Sequence, residues 1–226
     1  MAIDPGQKEL WLQEFQLNGF IVLRDFLPLD YVDALREQLS PLMLGEYEKA
    51  QGDEFSRGRG AGRLAIHLDQ YAKLLGGPLD DDRYRRHPVI DELVDAIMGQ
   101  GSWKRGWTLV EAAWKGSRHM AWHSDQKLDD TPDLDAEHEP IRVTYNIPLT
   151  EFSAVNGATE FIPGSHRLPR SATRDLPILS IPHVFPVLLG LRKGDAVLRD
   201  GNGLHRGTPN LSDEPRFMLD QTYKKL

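Results

Sequence analysis

The chain has 226 residues, carries a formal net charge of −7 and contains no cysteine. This length allows one sizeable hydrophobic core and is short for two, so a single domain is expected over residues 1–226. The negative charge argues against a nucleic-acid-binding protein, and the lack of cysteine excludes disulfides, thiolate metal sites and a cysteine nucleophile. Without an apolar signal segment or a run long enough to cross a membrane, a cytoplasmic protein is expected.

The first hundred residues predict a helical cap with one edge strand. Apolar residues at helical spacing favour helices over residues 6–18, from residue 29 onward and over residues 89–98. Residues 20–26 are typical of a strand, and Asn18-Gly19 is expected to end the first helix. Pro41 is expected to bend or break the second helix, because proline removes a backbone donor.

Residues 51–63, Q-G-D-E-F-S-R-G-R-G-A-G-R, are rich in glycine and arginine. A surface loop is the favoured interpretation, because the glycines lack the strand before and helix after that a phosphate loop needs. Another hypothesis is RNA binding through residues 57–63, which the charge balance disfavours. A third is that Arg63 closes over an anionic substrate.

From residue 101 the pattern changes to short β-rich runs separated by turn residues, which is typical of an antiparallel barrel or sandwich. The predicted strands lie near residues 103–114, 119–125, 141–149, 158–162, 184–189, 195–200 and 215–223. The acidic, proline-containing stretch near 126–140 lacks periodicity and is interpreted as a lid insertion. The expected core therefore spans residues 101–226.

The stretch His123-Ser124-Asp125 suggests a metal site. On an extended strand the side chains of His123 and Asp125 point to the same face. An imidazole and a carboxylate side by side form two parts of the two-histidine, one-carboxylate triad of non-haem Fe(II) oxygenases. Of the histidines at 138, 166, 183 and 205, His205 is the best third ligand, because it follows an apolar strand and a glycine turn.

Two other histidines are interpreted as structural. His67-Leu68-Asp69 also matches His-x-Asp, but Asp69 precedes a short helical pattern as an N-cap would, and no strand alternation surrounds His67. His166 lies in the turn Pro163-Gly164-Ser165-His166, where turn chemistry explains the residue types. Asn156-Gly157 is interpreted as a hairpin turn that needs a positive φ.

Residues 156–166, N-G-A-T-E-F-I-P-G-S-H, resemble the N-G-x-x-x-x-x-P-G-S-H segment of the phytanoyl-CoA dioxygenase-like family of Fe(II)/2-oxoglutarate oxygenases. The order of the pieces is similar too: an opening N-G-F-I-V-L-R-D-F-L, then H-S-D, then this segment, then His205 and, eleven residues later, Arg216. The resemblance covers roughly residues 10–223.

The resemblance implies a mainly β fold with flanking helices, in which a double-stranded β-helix (a jelly-roll, cupin-like core) is buttressed by the N-terminal helices. It implies Fe(II), 2-oxoglutarate and O₂ as cofactors. It assigns His123, Asp125 and His205 as iron ligands and Arg216 as the partner of the distal carboxylate of 2-oxoglutarate. A guanidinium suits that task, because its planar donor fork fits a carboxylate and keeps its charge.

Further residues are expected near the cosubstrate or substrate. Thr144 and Asn146 share one face of a predicted strand and are candidates to flank 2-oxoglutarate. Relatives often carry a small hydroxyl residue two positions after the distal histidine. This chain has Gly207 there, with Thr208 beside it as the replacement candidate. Lys127 is a candidate to meet an anionic substrate group.

The carboxylate at Asp125 predicts hydroxylation, or desaturation or ring closure, because related halogenases carry glycine or alanine at that position. The expected partner is a small-molecule substrate, with neither nucleic acid nor a membrane involved, and the oligomeric state is open. The alternative function is a non-catalytic, cupin-like metal or ligand binder. Arg216 argues against it, because a metal binder needs no cosubstrate anchor.

Overall fold

The first N-terminal helix begins and ends at residues whose capping bonds and backbone conformation favour those positions. The computed structural model describes residues 3–50, 60–74, 76–126, 139–168 and 185–226. Helix α1 (Pro5–Asn18) begins at Asp4, whose carboxylate accepts from the backbone N–H of Gln7, and it ends at Gly19 with φ 80°. Glycine adopts this left-handed conformation without the strain that a Cβ would cause. The other helices are α2 (Leu29–Ala50), α3 (Asp82–Arg85) and α4 (Pro88–Met98), with 3₁₀ segments at Leu68–Leu74, Gly77–Asp80 and Ser165–Arg167.

Nine described strands form two antiparallel sheets. They are β1 (Phe20–Leu23), β2 (Arg63–His67), β3 (Trp103–Ala113), β4 (Arg142–Pro148), β5 (Thr159–Phe161), β6 (Val187–Leu188), β7 (Ala196–Asp200), β8 (His205–Gly207) and β9 (Arg216–Lys225). The larger sheet has the order β1-β7-β4-β9-β3-β2, and the smaller has β6-β5-β8. The long central strand β9 pairs with both β3 and β4, so it carries its residues through the middle of the larger sheet.

The main core lies where the helices cover one face of the larger sheet. Leu35 of α2, Leu93 of α4 and Leu198 of β7 are each fully buried there. Burying one such side chain contributes about 1.5–3 kcal/mol. A second apolar cluster joins the two sheets, with Phe20 and Met218 from the larger and Phe161 from the smaller. The helical buttress therefore closes one face of the sheet and leaves the other face to the smaller sheet.

Four expectations about local structure differ from what is found. Helix α2 runs through Pro41 without a break. The N-terminal region supplies a second strand, β2, and β1 and β2 lie at opposite edges of the larger sheet. His67 is therefore the last residue of a strand, because β2 pairs with β3 up to Leu109. Residues 119–125 form no strand, and only a single bridge joins His123 to His205.

Two of the predicted segments lie largely outside the described residues. These are residues 127–138 of the expected lid, which include Lys127, and residues 51–59 of the glycine- and arginine-rich loop. Within the described parts of the chain, none of the helices has the length and apolar character needed to span a membrane.

Candidate metal centre

Three side chains from two distant parts of the sequence converge at one point. The ligand atoms of His123, Asp125 and His205 all lie within 4.8 Å of one another. Nε2 of His205 is 3.7 Å from Oδ1 of Asp125. Two backbone bonds join the segments: the N–H of His123 donates to the carbonyl of His205 at 3.1 Å, and the N–H of His205 donates back at 2.9 Å. The predicted grouping is thus present, although a single bridge holds it rather than a strand.

The hydrogen bonds of the two imidazoles leave Nε2 of each available for a metal. Nδ1 of His123 is 2.9 Å from the carbonyl of Ala121, and Nδ1 of His205 is 3.1 Å from the carbonyl of Gly203. Because a carbonyl oxygen only accepts, each Nδ1 carries the proton and each Nε2 presents a lone pair. Such a bond to the outer nitrogen is the usual way in which proteins orient metal-binding histidines.

The charge states also suit a divalent cation. Burial raises the pKa of Asp125, but the charges of Arg199, His205 and His123, together with the hydrogen bond from Arg199, outweigh it and hold the pKa well below the usual range. Burial, with Arg199, lowers the pKa of His205 well below its usual value. The site therefore offers a carboxylate and a neutral imidazole at neutral pH, which are the forms that bind metal.

The three residues line a cavity of about 410 Å³ between the two sheets. Arg216, at the start of β9, lines the same cavity and is 3% exposed. Its Nη1 donates to the carbonyl of Gly157 at 3.1 Å and to Oγ1 of Thr159 at 3.3 Å. Thr159 pairs with Gly207, two residues after His205. The buried guanidinium of Arg216 thus contacts the smaller sheet at Thr159, on the strand that pairs with the strand of His205.

Of the other predicted site residues, Thr144 and Asn146 line this cavity and Thr208 does not. Oγ1 of Thr144 is buried and has no hydrogen-bond partner among the described residues. Asn146 uses its amide within the protein, accepting from Nε of Arg199 at 2.8 Å and donating to Oδ1 of Asp220 at 2.6 Å. The hydroxyl of Thr208 donates to the carbonyl of Ala158, and Gly207 lines the cavity instead.

Arg63 lines the cavity from β2 rather than from a loop, and it is 5% exposed. Its Nη2 donates to the carbonyl of Arg118 at 3.0 Å and to that of Thr208 at 2.5 Å. The guanidinium is therefore held in place at the cavity wall. His166 lies outside the three-residue cluster, in a 3₁₀ turn where its carbonyl accepts from Asn202 at 2.7 Å.

Two side chains that line the cavity were missed by the sequence reasoning: Arg199 of β7 and Asp220 of β9. Nη2 of Arg199 is 2.6 Å from Oδ2 of Asp125. Burial raises the pKa of Asp220 well above its usual range, and the negative charge of Glu111 adds to the effect. Asp220 is four residues after Arg216, so alternation along β9 puts both on one face and could have found it. Arg199 is the pairing partner of Thr144 across β4 and β7, a register that only the folded sheet shows.

These donors fit the metal that the sequence implies. Two imidazoles and one carboxylate on one side of a cavity form the facial arrangement typical of non-haem iron sites. The profile of the phytanoyl-CoA dioxygenase (PhyH) family matches residues 15–218 of the chain. The chain belongs to this family. Membership confirms the recognition made from the sequence, and with it the cofactors expected for an Fe(II)/2-oxoglutarate-dependent dioxygenase, Fe(II), 2-oxoglutarate and O₂.

Curated relatives are named dioxygenases. The chain is 27% identical to the dioxygenase FrzG of Cladobotryum sp over 233 residues, covering 95% of this chain and 74% of FrzG. It is 28% identical to the dioxygenase cdmA of Talaromyces verruculosus over 202 residues, covering 87% of this chain and 65% of cdmA. The chain thus spans from about two thirds to about three quarters of the length of these relatives.

Solved structures share the fold. One is the epimerase SnoN from nogalamycin biosynthesis in complex with Fe³⁺, α-ketoglutarate and nogalamycin RO. It is 21% identical, with a TM-score of 0.67, and the match covers 98% of this chain and 85% of that one. The family member described here therefore has the expected jelly-roll core with flanking helices.

Proposed function

We propose that this dioxygenase hydroxylates an unactivated C–H bond of a small metabolite, with release of succinate and CO₂. The observation that carries the proposal is the common cavity of His123, Asp125, His205 and Arg216, which unites a candidate iron site with a buried anion anchor. A non-catalytic metal binder has no use for the second part.

The three clustered side chains would hold the iron through Nε2 of each histidine and one carboxylate oxygen. Bound iron and 2-oxoglutarate supply the oxidation: as O₂ is consumed, 2-oxoglutarate is decarboxylated to succinate and one substrate C–H bond is oxidised. Arg199 would help to keep Asp125 ionised through its charge and hydrogen bond. The backbone carbonyls that accept from each Nδ1 would leave Nε2 of each histidine free to bind the iron.

Arg216 would bind the distal carboxylate of 2-oxoglutarate, and Arg63 would support the same anion from β2. Both arginines are at least 95% buried and line the same cavity. In a site shielded from water, a carboxylate is attracted far more strongly than at a surface. The hydroxyl of Thr144, which has no hydrogen-bond partner in the described parts of the chain, would supply a further hydrogen-bond group for a ligand in this cavity.

The size and lining of the cavity support a small substrate. A volume of about 410 Å³ lies within the range of small-molecule sites, about 300–1,000 Å³, and part of it is needed for 2-oxoglutarate. Trp107, Leu109 and Met120 add apolar surface to the polar groups. The mixture fits a compact molecule with both polar and hydrocarbon parts.

The test is a turnover assay with Fe(II), 2-oxoglutarate and a panel of candidate metabolites under labelled O₂. We expect a coupled substrate to release succinate and to gain one labelled oxygen atom, whereas His205→Ala releases no succinate above background. A product of unchanged composition but inverted configuration, the outcome that the name of SnoN suggests, would replace hydroxylation by epimerisation. A chlorinated product would also contradict the proposal, and an absence of succinate with every candidate would favour the non-catalytic binder.

A further inference from the structure

Asp125 lies in a segment without regular strand pairing, so its position depends on bonds from neighbouring strands. Its backbone N–H donates to the carbonyl of Gly201 at 2.9 Å, and its backbone carbonyl accepts from Nη1 of Arg142. Its carboxylate oxygen Oδ2 accepts from Nη2 of Arg199 at 2.6 Å. Both the backbone and the side chain of this residue are therefore fixed by groups that are not metal ligands.

Arg199 is itself firmly held. Its side chain is 6% exposed, and Nε donates to Oδ1 of Asn146 at 2.8 Å. Asn146 in turn donates to Oδ1 of Asp220 at 2.6 Å. Moving the guanidinium away would leave buried polar atoms unpaired, which costs about 1–3 kcal/mol for each group. Because the guanidinium is planar, its donors toward Asp125 and Asn146 keep a fixed relative direction.

The two oxygens of Asp125 thus have different neighbours. Oδ2 is bonded to Arg199, whereas Oδ1 is 3.7 Å from Nε2 of His205 and faces the candidate metal site. We propose that Arg199 is a positioning residue that restricts Asp125 to binding iron through Oδ1 alone and thereby keeps one coordination position open for O₂. This inference rests on the proposed function.

Counting positions shows why the restriction matters. Of about six positions around the iron, the triad takes three and a chelating 2-oxoglutarate takes two, which leaves one. A carboxylate that bound through both oxygens would fill the last position and block O₂. Arg199 excludes this by keeping Oδ2 in a short, charge-assisted hydrogen bond, which is the strong class of such bonds.

Arg142 supports the same arrangement from the backbone side. Its stem packs against Gly201, where a Cβ would lie 3.0 Å from Cβ of Arg142. Its guanidinium lies 4.9 Å above the ring of Trp107. The backbone of Asp125 is therefore tied to β4, which fixes the point from which its side chain reaches Arg199 and the candidate metal site.

Nitric oxide, which binds Fe(II) at the position that O₂ would take, provides the test. Wild-type protein and the variants Arg199→Lys, Arg199→Gln and Arg199→Met are loaded anaerobically with Fe(II) and 2-oxoglutarate, and NO affinity is measured by the paramagnetic resonance of the nitrosyl complex. Bound iron and 2-oxoglutarate are measured in the same samples by metal analysis and by their charge-transfer absorption. The melting temperature of each variant reports its folding.

We expect Arg199→Met to lower NO affinity about tenfold or more for each bound iron. Arg199→Lys, which keeps the charge and a donor, should retain most of the NO affinity. The NO affinity of Arg199→Gln should lie between those of the Met and Lys variants. The Gln variant also provides the test if Arg199→Met does not fold. The matched control is Arg105→Met, which breaks a 2.5 Å bond to Asp91 at a partly exposed position that does not line the cavity. It should leave NO affinity unchanged.

Unchanged NO affinity per bound iron in Arg199→Gln and Arg199→Met would overturn the inference, even if their melting temperatures fell. A wild-type protein that binds no iron at all would instead overturn the proposed function and this inference with it. The two failures are distinguishable, because the first appears only in the variants.

Discussion

The guanidinium of Arg63 fills the space in front of Gly207: a Cβ at position 207 would lie 2.5 Å from Nη1 and 2.9 Å from Cζ of Arg63. The bonds from Arg63 to the carbonyls of Arg118 and Thr208 keep the guanidinium there. A serine or threonine at position 207 would therefore collide with this guanidinium unless Arg63 moved. Arg63 therefore explains the glycine at position 207, because its guanidinium occupies the space that a side chain there would need.

Gly207→Ser should therefore displace Arg63 and weaken the binding of 2-oxoglutarate. We expect the KM for 2-oxoglutarate to rise about tenfold or more, because a misplacement of about 1 Å near a reacting group is costly. Steady-state kinetics with varied 2-oxoglutarate measure it. Gly45→Ser, at a helix position where a Cβ would meet nothing within 4 Å, is the control. An unchanged KM in Gly207→Ser would show that Arg63 has no part in cosubstrate binding.

Replacing Arg216 should weaken the binding of 2-oxoglutarate and leave the affinity for Fe(II) nearly unchanged. Arg216→Met removes a buried cation, and we expect the KM for 2-oxoglutarate to rise about 100-fold, equivalent to about 2.7 kcal/mol. Fe(II) affinity, measured by anaerobic titration, should change little. Arg206→Met is the matched control, because Arg206 pairs with Glu160 and does not line the cavity. Equal losses in the two variants would contradict the role of Arg216.

Asp220 should make the apoprotein less stable as the pH rises. Burial, and then the charge of Glu111, raises the pKa of Asp220 in the folded protein, whereas an unfolded aspartate titrates near about 4. Above about pH 4 the folded state therefore binds the extra proton, and stability falls with increasing pH up to the raised pKa. Asp220→Asn should remove this slope while keeping an acceptor for Asn146.

The measurement for Asp220 is the melting temperature of metal-free protein between pH 5 and pH 9. The gain of Asp220→Asn over the wild type should grow with pH, by about 2–4 °C for each kcal/mol. Asp213→Asn is the control, because Asp213 is 89% exposed at its side chain and should not alter the slope. Parallel curves for Asp220→Asn and the wild type would mean that the carboxyl is ionised in the folded protein.

Gly157→Ala should destabilise the protein more than Gly116→Ala. Both glycines have φ near +85°, but a Cβ at 157 would lie 2.9 Å from the carbonyl oxygen of Thr208, whereas one at 116 would meet nothing within 4 Å. The backbone conformation alone costs about 1–2 kcal/mol, and the overlap adds about 1–3 kcal/mol at position 157 only. Denaturant unfolding of both variants measures the difference. Equal losses would show that the contact with Thr208 is easily relieved.

Much of the fold was predictable because turn and cap residues act locally. Gly19 ends the first helix where expected, the helix predicted over residues 89–98 ends at Met98, and most strands after residue 101 were placed within a few residues. Proline was a weaker signal, since α2 continues past Pro41 with its apolar face packed on the core. Tertiary packing outweighs the local preference there.

The grouping of His123 with Asp125 was right, although the strand that was its reason is absent. The segment is held by Gly201, Arg142 and Arg199, which lie 17 or more residues away in sequence. No local sequence pattern predicts such long-range bonds. Asn146 was expected to flank 2-oxoglutarate, which stays a prediction, and it lines the cavity. Its amide bonds to Arg199 and Asp220 become visible only when β4, β7 and β9 are side by side.

The most direct test of the central claim is the location of bound iron. Crystals soaked anaerobically with Fe(II) would be measured at the iron absorption edge, where only iron gives strong anomalous density. We predict one peak within bonding distance of Nε2 of His123, Nε2 of His205 and Oδ1 of Asp125. A fully occupied iron elsewhere, or no iron between these three side chains, would contradict the account.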